Sequence, residues 1–120
     1  MFLTREQALE AINRRLRSIG ERPTSLPTLN RLRDLYVQIF PRTKWLKNNR
    51  LLYGEPVVQF LYFMVRLHYS VAATLKRPSI RATEMAAQEI VRKLPKGANF
   101  SDAFGSYSAI DTFFEQTKAA

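Results

Sequence analysis

The chain has 120 residues, with 19 Lys+Arg against 10 Asp+Glu, a formal net charge of +9, one His and no Cys. The missing cysteine removes disulfides, thiolate nucleophiles and Cys-containing zinc sites, and a lone histidine removes the HExxH pair and any multi-His cluster. At 46% hydrophobic and 24% charged, the composition is that of one folded domain, residues 1–120, whose basic excess calls for a polyanion: nucleic acid first, an acidic protein or membrane surface second.

In chain order, the punctuation is helical. Residues 1–6 carry no apolar leader, and Glu6 and Glu10 argue against a transit peptide, so a cytoplasmic protein is expected. Thr4 with Gln7 reads as a capping box, and Leu9, Ile12, Leu16 and Ile19 share one helix face that Gly20 closes. A connector, 21–24, leads to a second helix over about 25–40, with Pro27 in its first turn, Leu29, Leu32, Tyr36 and Ile39 on one face, and Pro41 as its stop. Residues 41–55 are polar and basic, with room for a helical turn near 43–47. A long helix near 56–76 follows, with Pro56 suited to its first position and Pro78 beyond its end. The next helix, about 79–94, carries Thr83, Ala87, Ile90 and Leu94, and Pro95–Lys96–Gly97 breaks the chain after it. The last segment, about 101–118, offers Phe104, Tyr107, Ile110, Phe113 and Phe114, and Gly105 moves its start toward Ser106 or Ser108. No stretch reads as a strand. The prediction is an all-α bundle of four to five helices around a central apolar helix.

That central helix is apolar over most of its circumference. Its narrow polar strip carries Gln59, Arg66, Ser70, Ala73 and Arg77. Either the strip reaches solvent between neighbouring helices, or Arg66 is buried with a partner, because an unpaired buried Arg is too costly. The same Gln59, Arg66, His68 and Ser70 argue against a membrane span over 57–75.

The positive charge is concentrated. Residues 1–54 hold 11 basic and 4 acidic side chains, 76–96 hold 6 and 2, and 97–120 hold 1 and 3. Thirteen of the 19 cations are Arg, whose planar donor fork suits phosphate. In the 42–53 loop Arg42, Lys44, Lys47 and Arg50 surround Trp45 and Tyr53, pairing cations for phosphate with rings that can stack on a base. The same loop also fits a connector anchored by Trp45 and Leu46 with solvated cations. Arg14, Arg15 and Arg17 on the first helix, Arg22 after it, and Lys76, Arg77 and Arg81 at a helix–helix junction are further nucleic-acid candidates, as is Arg66. Arg92, Lys93 and Lys96 are explained by a helix C-terminus alone.

Catalytic signals are missing. His68 lies on an apolar stripe and reads as a hydrogen-bonded core residue. Glu84, Glu89, Asp111 and Glu115 read as solvating or helix-pairing carboxylates. Glycines at 20, 54, 97 and 105 build no phosphate loop. The expectation is a non-enzyme needing neither cofactor nor metal.

The roughly 120-residue helical layout, the Arg14-Arg15-Leu16-Arg17 cluster, the basic 42–50 loop and the apolar 57–75 helix together resemble the small helical subunit of CRISPR–Cas effector complexes of the Cascade type. That resemblance implies copies stacked beside a guide RNA–target duplex within a ribonucleoprotein assembly, holding the target or displaced DNA strand by its backbone without catalysis. Two alternatives remain. One is a helix-turn-helix regulator, built on the 20–24 connector with Asn30, Arg31, Arg33, Asp34 and Gln38 as readers. The other is an interaction module for an acidic protein.

Overall fold

The computed structural model describes residues 3–39, 46–47, 50–51, 53–94 and 104–119. Among them are five helices: α1 (Arg5–Ser18), α2 (Leu26–Ile39), α3 (Glu55–Leu75), α4 (Ile80–Arg92) and α5 (Tyr107–Ala119). The protein is all-α, with one very short β-ladder between β1 (Leu46–Lys47) and β2 (Arg50–Leu51). Two compact units divide the chain, Met1–Leu61 and Tyr62–Ala120.

In the first unit, α1 begins as its sequence requires. Thr4 Oγ1 accepts the Gln7 amide (3.1 Å) while Gln7 Oε1 accepts the Thr4 amide (2.9 Å). It ends in a Schellman arrangement: Gly20 takes φ 77°, its N–H reaches Arg17 O, and Glu21 N–H reaches Leu16 O. The buried stripe is Ala8, Ile12 and Leu16; Leu9 is only half-buried, and Ile19 lies exposed at the C-cap instead of completing the face. Asn13 then clamps the connector to α1. Its side-chain amide donates to Thr24 O (3.1 Å) and its carbonyl accepts from Thr24 N (2.8 Å). Ser25 opens α2, accepting the Thr28 amide, and Leu29, Leu32 and Leu35 are buried. The side chains of Tyr36 and Ile39 lie outside the described residues.

Leu46 and Lys47 depart from the helical turn expected near 43–47. Leu46 and Lys47 are extended and pair antiparallel with Leu51 and Arg50 respectively; Thr43, Lys44 and Trp45 lie outside the described residues. Asn48 and Asn49, between the two strands in the sequence, lie outside the described residues. Tyr53 adds an isolated bridge to Leu3, Leu3 N–H donating to Tyr53 O (2.9 Å).

Helix α3 starts at Glu55, placing Pro56 second, where its missing N–H costs no helical bond. Val57, Val58, Phe60 and Leu61 are buried in the first unit, and every residue from Tyr62 to His68 is buried in the second. Burial fades after His68, and Ala73 to Leu75 are exposed. Lys76 ends the helix with φ 59°, and Ser79 caps α4 by accepting the Ala82 amide (3.1 Å). Only Thr83 and Ala87 of α4 are fully covered, while Ile90 and Leu94 are half-buried. Residues 95–97, expected to break the chain, lie outside the described residues. Ser106 starts α5, its Oγ accepting the Ala109 amide and its C=O the Ile110 amide. Phe104, Ile110 and Phe114 are buried, and Phe63 meets Phe104, Phe113 and Phe114 at centroid distances of 4.9, 6.1 and 5.6 Å.

Candidate nucleic-acid interface

The basic residues singled out from the sequence fall into distinct environments. On the first unit, Arg14 is exposed and pairs with Glu10 one turn earlier at 3.1 Å. A solvent-exposed pair of this kind contributes about 0.5 kcal/mol or less, so the guanidinium can exchange its partner for a phosphate. Arg17 and Arg22 are exposed; Arg15 is half-buried, and both Arg15 and Arg22 engage other groups of the chain. Arg33 is committed. Its guanidinium donates to the Tyr53 hydroxyl (3.4 Å) and to Asp34 (3.1 Å), and these contacts, the Tyr53 bond foremost, hold its pKa above the ordinary value.

On the second unit, Lys76, Arg77 and Arg81 are exposed around the α3–α4 turn and form no ion pair among the described residues. The first turn of α4 carries no acidic side chain, so Arg81 stands at the positive end of that helix dipole. Arg92 and Lys93 behave differently. Both pair with Glu89, at 2.6 and 3.4 Å, and the Arg92 hydrogen bond above all pulls the Glu89 carboxyl below its usual range.

Arg66 requires a correction as a nucleic-acid contact. It is only 6% exposed, and its guanidinium donates to Asp111 (2.5 Å) and to the Tyr62 hydroxyl (3.0 Å), with Phe114 stacked 5.0 Å from its Cζ. Tyr62 in turn donates to Asp111. Asp111, expected as a solvating or helix-pairing carboxylate, is the buried counter-charge of Arg66 on α3. A signal for this was present in the sequence: Asp111 lies four residues after Tyr107 and three before Phe114, on the aromatic face.

Burial and the Asp111 bond together push the Tyr62 pKa up to about 12. His68 is a core residue. Thr83 Oγ1 gives its proton to Ser79 O (2.8 Å) and so accepts from His68 Nδ1 (3.0 Å), which assigns that nitrogen its proton.

Of the basic loop, Arg42, Lys44 and Trp45 lie outside the described residues, whereas Lys47 and Arg50 are direct cross-strand partners in the β-ladder. Among the described residues no group of three or more His, Asp or Glu could hold a metal, and no helix is long and apolar enough to cross a membrane. The chain matches no protein-family model, and no curated protein or solved structure is significantly similar to it.

Proposed function

We propose that the protein is a non-catalytic subunit that grips nucleic-acid backbone without reading sequence. The observation that carries this reading is the Lys76–Arg77–Arg81 cluster, three exposed cations with no ion pair among the described residues. Exposed cations left without carboxylate partners repel one another and are relieved by an external polyanion. Exposed Arg17, and Arg14 through its weak surface pair with Glu10, add positive charge on the first unit. The assembly such a subunit would serve, on the resemblance drawn from its layout, is a Cascade-type ribonucleoprotein with further copies of the chain.

The test is titration of unrelated RNA and DNA sequences across a salt series. Affinity should fall steeply with salt and vary little with sequence. Replacing Lys76, Arg77 and Arg81 with alanine should weaken binding to all sequences alike and lower the salt slope by about one per cation removed. Salt-independent binding, or none at low salt, would sink the proposal.

A second reading, docking of an acidic protein, draws on Leu75 (45% exposed) and Met85 (60% exposed), which adjoin Lys76 in sequence and Arg81 one helical turn away. Met85→Glu should abolish such docking and leave nucleic-acid affinity within about threefold. The regulator reading has less to stand on. Arg33 is tied to Tyr53 and Asp34, and the Asn30 side-chain carbonyl is buried, which leaves few free base-reading groups on α2.

A further inference from the structure

We propose that the Tyr62–Arg66–Asp111 network is a register key, present to make α5 dock on α3 in one position only. A buried ion pair is a poor source of net stability, because desolvating both charges offsets most of their attraction. The surroundings sharpen the question. Tyr107 stands edge-on to Tyr62 at 5.0 Å, and Phe63, Phe104, Phe113 and Phe114 build a continuous aromatic cluster beside it. Apolar side chains of similar volume would fill the same space.

The apolar face leading into and along α5 is nearly periodic. Phe104, Tyr107, Ile110 and Phe113 recur at intervals of three. A slide of three residues in either direction therefore brings another large apolar side chain to the places of Tyr107 and Ile110, which a core tolerates far better than a change of volume or polarity. Phe114 and Asp111 break that equivalence, Asp111 through its charge. The same slide would bring Ser108 or Phe114 to its place and leave the buried Arg66 guanidinium without a counter-charge. The hydroxyl of Tyr62 closes the selection, since it accepts from Arg66 and donates to Asp111 at once, a geometry that only one register satisfies.

The test separates register from stability. Asp111→Ala should raise the unfolding equilibrium constant at least about a hundredfold, because it strands a buried charge. The apolar triple variant Tyr62→Phe/Arg66→Met/Asp111→Leu should stay within about tenfold of the parent. It should nevertheless show doubled or broadened NMR resonances over 104–114 and a weakened nuclear Overhauser contact between the rings at positions 62 and 107. The proposal is overturned if the triple variant keeps one sharp set of resonances with that contact intact. It is equally overturned if the triple variant is as unstable as Asp111→Ala, unfolding included, or if Asp111→Ala matches the parent.

Discussion

Lys76 holds a φ of 59° at the end of α3, a conformation that costs a side chain with a Cβ about 1 kcal/mol and that glycine adopts freely. Lys76→Gly should therefore raise stability by about 0.5–1 kcal/mol in denaturant unfolding, even though it removes a cation from the proposed interface and should weaken nucleic-acid binding. Opposite signs in the two measurements would separate strain from charge at a single position. Tyr62 supplies a pH signature. Its folded pKa, up to about 12 against an ordinary 10.0, favours the neutral phenol in the fold. The stability it contributes is thus complete below pH 10 and is lost as pH rises through about 12. Tyr62→Phe should remove that part of the alkaline decline, read from unfolding midpoints between pH 9 and 12. Thr83→Val should leave the His68 Nδ1 proton without its acceptor and cost about 1–3 kcal/mol, whereas Thr83→Ser should cost less.

At the scale of the elements, what was legible followed from caps and periodicity. Thr4, Gln7 and Gly20 announced both ends of α1, because caps act through bonds within a few residues, and Gly105 narrowed the start of α5 to Ser106 or Ser108, the first of which caps it. Arg66 inside an apolar helix announced that it either reached solvent or was buried with a partner, by the cost of a buried lone charge. Naming Asp111 needed tertiary information, since the two lie on different helices. The β-ladder was illegible for another reason: two-residue strands carry no alternation to detect, and Asn48-Asn49 is a weaker turn signal than Asn-Gly. Of the proposed cations, the exposed ones were legible as charge and Arg66 was misplaced, because composition does not distinguish a solvated Arg from a paired one. The connector belongs to this scale too. Asn13→Ala removes both bonds that hold Thr24 to α1. It should cost about 1–2 kcal/mol and speed hydrogen exchange at the Thr24 amide, while leaving the α5 amides unchanged.

Among the described residues, the basic charge includes exposed cations on α1 and around the α3–α4 turn, cations paired on the surface with Glu10 and Glu89, and Arg66, buried in the second unit. Net charge therefore overstates what a partner can meet. Removing Arg42, Lys44, Lys47 and Arg50 together should weaken nucleic-acid binding and flatten its salt dependence. Unchanged affinity would assign the interface to the helical cations alone.

The boundary between the two units falls between Leu61 and Tyr62, both fully buried and both in the interior of one helix. Dissecting the protein at that point would sever an unbroken backbone ladder and strand unpaired amide and carbonyl groups on a greasy stump. Neither fragment would inherit a whole α3. Anyone wishing to express half of this protein must carry the helix entire, and a protease gains no foothold at the boundary until α3 itself has opened.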